Sequence, residues 1–385
     1  MKLYRILSML ICLCIIVCSF SLEVSASKEQ STPSFNFDCR SAILIEANTG
    51  TVLYEMNADE ALPPASVTKI MTLLLVMEAI DDGRLALTDT VTASANACSM
   101  GGSQVYLKEG EQMSVEDMLK SVVIASANDA AVALAEHIAG TEEAFVDMMN
   151  QKARALGLTS TNFENTNGLD DTAKNHVTSA RDIAIMSRAL ISHRKILEYS
   201  SIWMDSIRNG EFGLTNTNRL IRFYKGATGL KTGSTAKAKF CVSATAERDG
   251  MSLICVVMAA PTRDVRNAIA TSLLDYGFSG YALYRSEKSE IEDVRVIGGV
   301  KERCSVSEVD FCRVLSKNEA AKISRTVELE ESVAAPISKG DKVGRCIYRF
   351  GDTVIGESDI VATETVNKID FVGLLFRMLA KMVLC

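Results

Sequence analysis

The arrangement in this chain most able to do chemistry is Ser-x-x-Lys. A lysine one helical turn after a serine shares its face, and an amine that has lost its proton can activate a hydroxyl without histidine. The pattern occurs at Ser25–Lys28, Ser66–Lys69, Ser192–Lys195 and Ser234–Lys237. Context separates these pairs. Ser25 lies in an N-terminal leader, and Ser192–Lys195 lies in a polar His-Arg-Lys stretch that reads as a solvated face. Ser66 instead follows Pro63-Pro64-Ala65 and precedes an apolar run from Ile70 to Ile80. Prolines suit the first turn of a helix. Ser66 is therefore expected at a helix N-terminus, where backbone N–H groups favour developing negative charge. Lys69, in apolar surroundings, should hold its proton weakly. Taken alone, the pair fits equally a capping serine beside a surface lysine.

Other chemistries lack their residues. The sequence has no Gly-x-Ser-x-Gly, no His-Glu-x-x-His and no Gly-rich phosphate loop. Its three histidines, His137, His176 and His193, offer few candidates for a His-driven mechanism. Two further patterns join Ser66 and Lys69. Ser-Ala-Asn occurs at Ser94–Asn96 and Ser126–Asn128, and Lys231-Thr232-Gly233 occurs once, before the strand-like run Phe240–Ala246. Each is weak alone. In the order Ser66-x-x-Lys69, Ser126-x-Asn128, Lys231-Thr-Gly233, the set resembles that of the penicillin-recognising serine acyl enzymes. The chain looks like a low-molecular-mass penicillin-binding protein, a serine-type D-alanyl-D-alanine carboxypeptidase. Segments similar to the family's run from Ser121 to Ala131, Asn167 to Asp170, His176 to Asp182, Gly229 to Gly233 and Ala335 to Gly344. Ala127 departs from the more usual Ser-Gly-Asn and resembles a subset from Gram-positive, spore-forming bacteria.

The resemblance implies roles. Ser66 would attack the carbonyl of the penultimate D-Ala of a peptidoglycan stem peptide, and Lys69 would take its proton. The backbone N–H groups of Ser66 and Ser234 would form the oxyanion hole beside Gly233. Ser126 and Lys231 would relay a proton to the departing amine, with Lys231 further lowering the proton affinity of Lys69. Asn128 would hold the substrate amide. Thr232 and Arg266 would bind the terminal carboxylate, with Arg263 the alternative. No metal or organic cofactor is needed, and β-lactam antibiotics would acylate the same serine. A class A β-lactamase would need a deacylating Glu; Glu164 is near the right place, but position 168 is Gly where that loop wants Asn. The same motifs are also compatible with a silent penicillin-binding scaffold and with endopeptidase or transpeptidase action on cross-links.

These residues require elements to hold them. Two short apolar runs, Ser41–Glu46 and Thr51–Glu55, flank the turn signal Asn48-Thr-Gly50. Ile70–Ile80 reads as a buried helix ended by Asp82-Gly83. Ser114-Val-Glu-Asp117 resembles a capping box opening a helix to about Ile124, and another helix covers about Asp129–Ile138. Strands Phe240–Ala246 and Ser252–Ala259 surround an Asp-Gly turn, and a helix follows over Asp264–Leu274. Strands at both ends and helices between predict an α+β, β-lactamase/transpeptidase-like domain with an antiparallel sheet and a helical subdomain, over 36–282. Short β-type runs over 286–365 predict a small all-β domain.

The chain has 385 residues and a net charge of −7, with no basic surplus for a nucleic-acid partner. Residues 1–26 carry Lys2 and Arg5, an apolar run from Ile6 to Leu22 and small residues at Ser25-Ala26, a secretory signal peptide followed by a polar linker over 27–35. Export makes disulfides possible, yet Cys241 and Cys255 read as free buried thiols. Over 366–385, Asp370, Gly373, Arg377 and Lys381 make one narrow polar stripe on an otherwise apolar helix. That pattern predicts an amphipathic anchor lying on the outer face of the cytoplasmic membrane.

Overall fold

The computed structural model describes residues 35–171, 173–287 and 289–383, without the side chains of 380, 381 and 383. The signal peptide 1–26, the Ser25–Lys28 pair, the linker up to residue 34 and Cys385 lie outside these residues. The unit that begins at Asp38 carries everything that follows.

Strands β1 (Ser41–Glu46) and β2 (Val52–Met56) pair as the expected hairpin, with Gly50 at φ +75° in the turn. A 3₁₀ turn, Ala65–Thr68, then runs into helix α1 (Lys69–Asp81). Every residue of α1 from Lys69 to Met77 is buried, so its sequence shows almost no polar face. Helices α2 (Val115–Ile124), α3 (Asn128–Ala139), α4 (Glu142–Ala155) and α5 (Ala180–Ser192) surround it. Ser114 caps α2 by accepting from the Asp117 N–H at 3.1 Å. Strands β3 (Ala227–Thr235), β4 (Lys239–Arg248) and β5 (Met251–Ala260) complete the sheet, and α6 (Arg263–Gly280) follows.

The sheet order is β2-β1-β5-β4-β3, with every neighbour antiparallel. Both ends of the segment therefore supply strands, as the order of its elements predicts. Ile43, Ile45, Ile254 and Val256 join the core shared with the helices. On the other face α6 lies flat against the sheet: a Cβ at Gly277 would come within 2.5 Å of Leu253 and 3.0 Å of Leu44. A sheet covered on both faces explains the unbroken apolar sequence of β5. Cys241 and Cys255, on β4 and β5, are free and fully buried.

Helices α4 and α5, the short helix Lys195–Ser200 and the hairpin Met204–Ile207/Phe212–Thr215 are elements that the sequence patterns do not announce. The β-rich region begins earlier than residue 286. Its first strand, Tyr281–Arg285, leaves α6 directly and pairs with Cys312–Ser316. A four-stranded antiparallel sheet follows, with a small sheet containing one parallel pair, Val294–Ile297 with Ser332–Ala334. One helical turn, Lys317–Ala320, interrupts the strands, opened by a capping box between Ser316 and Glu319. Val294, Cys346, Tyr348 and Ile360 belong to this region's own core. Helix α7 (Phe371–Val383) ends the described chain.

Candidate active site

Lys69 stands at the centre of the site and is fully buried. Its Nζ lies 3.0 Å from Ser66 Oγ, 2.5 Å from Asn128 Oδ1 and 2.8 Å from the Asn167 carbonyl oxygen. Two of these partners can only accept. A neutral amine has two N–H bonds for them and one lone pair, which is free to accept the Ser66 hydroxyl proton. Burial, and then the positive charge of Lys231, push the Lys69 amine well below its ordinary proton affinity. Geometry and electrostatics agree on an amine with a weakened hold on its proton, in contact with a hydroxyl.

The chain reaches this arrangement through a bent entry. Ala65 takes φ +50°, in the left-handed region that a side chain rarely adopts, and the 3₁₀ turn carries Ser66 to the mouth of α1. Gly168 makes the turn possible from behind. A Cβ there would lie 1.9 Å from the Ala65 carbonyl oxygen. Ser126 also takes a left-handed φ, +64°, on the bend between α2 and α3. Strain of this kind costs on the order of 1–3 kcal/mol and here holds two hydroxyls at one cavity. Asn128 sits at the start of α3, with Oδ1 on Lys69 and Nδ2 donating to the Gly101 carbonyl at 2.6 Å. Both ends of this amide are engaged by protein groups, so Asn128 orients the Lys69 amine as well as standing beside the cleft.

The third motif lies on β3, the edge strand next to β4. Gly233 explains its own presence. A Cβ there would meet Pro64 O at 2.7 Å and the Ser66 and Val67 nitrogens at 2.9 Å, so only glycine lets β3 lie flush against the serine's turn. Lys231, on the same strand, is buried and donates to the Thr232 carbonyl at 3.0 Å. Burial and then the Arg266 charge lower its pKa to about 7. The Thr232 hydroxyl donates to Thr217 Oγ1 at 2.9 Å. Arg266, from α6, is buried and tied by Nη1 to the Cys241 carbonyl at 3.3 Å and by Nη2 to Asn267 at 2.9 Å. Ser66, Ser126, Thr232, Gly233, Ser234 and Arg266 all line one cavity of about 640 Å³, and Arg263 lines it too. The predicted residues therefore converge, with Lys69, Asn128 and Lys231 packed behind the opening.

Among the described residues, the Ser192–Lys195 and Ser234–Lys237 pairs do not form such a site. Ser192 is exposed and bonds the Ala189 carbonyl at 2.6 Å, while Lys237 is exposed beyond the edge strand. Glu164, the residue a β-lactamase would need, has its carboxylate oxygens on the backbone N–H groups of Lys174 and Asn175, at 2.7 and 3.0 Å. It braces a loop. His176 is a structural ring: Nδ1 accepts from the Glu164 N–H at 3.0 Å, so Nε2 carries the proton donated to Thr68 Oγ1 at 2.7 Å. Burial holds its pKa down to about 4. Two contributors escape sequence reasoning. One is the Asn167 carbonyl on Lys69. The other is buried Asp129, which accepts from the backbone nitrogens of Val105, Leu107 and Ala130 and so fastens the 103–107 loop to α3.

Comparison with known proteins agrees with this geometry. The family model for D-alanyl-D-alanine carboxypeptidase, peptidase S11, matches residues 26–262, and that for the C-terminal domain of penicillin-binding protein 5 matches 282–368. The D-alanyl-D-alanine carboxypeptidase DacF of Bacillus subtilis is 40% identical over 382 residues, covering 97% of both chains. Penicillin-binding protein 5 from Haemophilus influenzae superposes with a TM-score of 0.75 at 30% identity, over 87% of this chain and 99% of that one. Penicillin-binding protein D2 from Listeria monocytogenes, solved in an ampicillin-bound form, gives 0.59 at 33% identity over 64% of this chain and all of that one. A serine met by a buried lysine with a weakened hold on its proton, a second serine on a strained bend and a Lys-Thr-Gly edge strand pressed against them thus occur in a chain that belongs to the D-alanyl-D-alanine carboxypeptidases of peptidase family S11, the low-molecular-mass penicillin-binding proteins that act on peptidoglycan.

Proposed function

We propose that Ser66 is the nucleophile of the carboxypeptidase reaction and Lys69 its general base. The observation that carries this is the position of the Lys69 Nζ, 3.0 Å from Ser66 Oγ, with Asn128 Oδ1 at 2.5 Å and the Asn167 carbonyl at 2.8 Å; in the neutral amine these two acceptors take the N–H bonds and the lone pair is left for Ser66. Ser66 attacks the carbonyl of the penultimate D-Ala, and Lys69 takes the hydroxyl proton. The N–H groups of Ser66 and Ser234 receive the developing oxyanion, a placement supported by the close approach of Gly233 to the Ser66 turn. Ser126 and Lys231 pass a proton to the departing D-Ala amine. Thr232 and Arg266 hold its carboxylate, with Arg263 at the rim. Water then cleaves the ester. β-Lactams present the same carbonyl to the same serine, as the ampicillin-bound form of the Listeria relative supports. Replacing Ser66 by Ala is expected to abolish both D-Ala release and covalent labelling by penicillin, while Ser192→Ala and Ser234→Ala still label. Labelling that survives Ser66→Ala overturns the assignment.

The same reading places the exported enzyme at the outer face of the cytoplasmic membrane, held by α7. Phe371 is 79% exposed, and Phe376, Leu379 and Met382 are exposed on the same 13-residue helix. On its polar stripe Arg377 donates to the Val300 carbonyl at 2.7 Å. A helix of this length spans about 20 Å, short of the ~30 Å hydrocarbon core, and no described helix is long and apolar enough to cross a membrane. An apolar face with a cationic stripe lies in the interface instead. Deleting residues 367–385 should release a soluble enzyme that still frees D-Ala; a truncated form that stays in washed membranes refutes the anchor.

A further inference from the structure

The small sheet of the β-rich region holds two like charges face to face. Val294–Ile297 pairs antiparallel with Arg303–Cys304, and the register sets Arg295 directly opposite Arg303. Like charges in that position destabilise a strand pair. Both arginines are exposed. Among the described residues neither has a carboxylate within ion-pair distance, although Asp293, Glu302 and Glu331 are near in sequence; Arg303 donates to the Asp293 backbone carbonyl at 3.4 Å. Arg325 and Arg345, in the same region, do have acidic partners. The fold therefore carries a repulsion that an anion would relieve.

Strand alternation adds an apolar side chain to the same outer face. Val294 and Val296 are buried in the region's core, so Arg295 and Ile297 point outward, and Ile297 is 56% exposed. The turn that follows contributes Val300, 51% exposed. This turn is built into the base of α7. Gly299 bridges Lys368, the Ile369 N–H donates to the Gly298 carbonyl at 2.9 Å, and the Val300 N–H donates to the Asn367 carbonyl at 2.8 Å. Arg377, within α7, donates to the Val300 carbonyl at 2.7 Å. The helix is thus tied to the turn both before its first residue and along its length. Val300 stands beside a helix whose Phe371, Phe376 and Met382 are themselves exposed.

We propose that the outer face of this sheet is a second membrane contact, in which Arg295 and Arg303 take the phosphate of an anionic lipid headgroup while Ile297 and Val300 enter the interface next to α7. This rests on the reading of α7 as the anchor. A phosphate between two guanidiniums replaces repulsion with charge-assisted hydrogen bonds, which arginine can make in pairs. Cations bordering apolar side chains, continuous with an interfacial helix, match the layering of a bilayer surface, where phosphates lie just outside the acyl chains. The contact has a use. One helix lying in the interface defines a line, about which the enzyme can tilt. A second contact off that line sets the angle at which the catalytic region stands, and with it the direction in which the Ser66 cleft opens.

The test is co-sedimentation of the protein, with its C-terminal helix intact, on vesicles of phosphatidylcholine alone and of an equal mixture with phosphatidylglycerol. Arg295→Gln/Arg303→Gln should weaken binding to the mixed vesicles by about 30-fold and leave binding to phosphatidylcholine within about twofold of wild type. Ile297→Ser/Val300→Ser should weaken binding to both by about tenfold. Arg295→Lys/Arg303→Lys, which keeps the charge, should retain most of the preference for the mixture. D-Ala release from a soluble pentapeptide should stay within about twofold throughout, and the glutamine variant should unfold no earlier than wild type, because its change relieves a repulsion. A glutamine variant that binds the mixture as wild type does, or that weakens equally on both vesicles, overturns the second contact and leaves the anchor standing. A wild type that binds neither vesicle overturns the anchor reading, and the second contact with it.

Discussion

The two halves of the molecule treat buried charge in opposite ways. Between β1 and α6, Lys69, Lys231 and Arg266 are buried, and desolvation leads the causes that weaken their hold on a proton. In the β-rich region the ion pairs of Arg345 with Glu328 and Glu357 and of Lys342 with Asp359 lie at the surface. Its buried carboxylate, Glu308, is matched with Arg325, Tyr348 and Ser358. One region hydrogen-bonds these buried cations to neutral groups; the other matches its buried carboxylate with a cation. The first arrangement gives up stability and weakens the hold of Lys69 and Lys231 on their protons, and the second is a stable support.

The largest effect is expected at Lys69, the proposed base. Lys69→Ala should lower the rate of acylation by penicillin by about 10³-fold or more, because it removes the amine proposed to take the Ser66 proton. Near-normal acylation would mean that another group takes the proton. Gly233→Ala should reduce acylation by about 10²-fold with the fold retained, since its methyl would drive β3 off the Ser66 turn. Unchanged acylation would show that the contact relaxes freely.

Stability distinguishes the regions directly. Lys231 has a folded pKa of about 7, below its unfolded value, so the unfolded chain binds more protons between those values. Stability therefore rises as pH rises through that window, and the burial penalty is fullest below about pH 7. Lys231→Met should raise Tm by several degrees at pH 6, and the gain should shrink as pH climbs. Glu308→Met should do the reverse in the β-rich region, costing about 2 kcal/mol by stranding Arg325 and Tyr348, while D-Ala release from a soluble peptide is unchanged. Calorimetry of both variants showing the same sign would break the contrast. The smallest effect is a shift of the pH profile. Loss of the Lys231 proton should give kcat/KM an alkaline limb near pH 7 in the free enzyme. Arg266→Gln removes the cation beside Lys231, and should move that limb upward by about half a unit to one unit; a limb that stays put would detach Arg266 from the relay.

Much of this is legible in the order of residues alone. The apolar runs at both ends of the catalytic segment, the all-round apolar Ile70–Ile80 and the three motifs name the sheet, the central helix and most of the site. What escapes has identifiable causes. Helix α4 has a polar sequence and is announced only by its ends: Thr141 accepts from the Ala144 N–H, Glu142 and Glu143 fill the first turn, and Lys152 and Arg154 fill the last. The carbonyl of Asn167 on Lys69 cannot be read at all, since every residue owns a carbonyl and only the fold aims this one. Gly168 and Gly233 are visible as glycines, but the backbone each must admit belongs to a distant segment. The parallel pairing of Val294–Ile297 with Ser332–Ala334 is likewise nonlocal, and nothing in either strand's alternation specifies its direction.

The sheet also has a consequence in time. Strand β1 pairs with β5 from Ser41, opposite Met258, to Glu46, opposite Leu253, so the first strand acquires its inner neighbour only after almost the whole catalytic segment exists. Ser66 and Lys69 emerge early, yet the strand bearing Lys231 and Gly233 joins β1 only through β4 and β5. Closing so long a loop is a late event in folding. In a chain emerging end-first, the Ser66 turn therefore gains Gly233 as its neighbour only when the sheet closes.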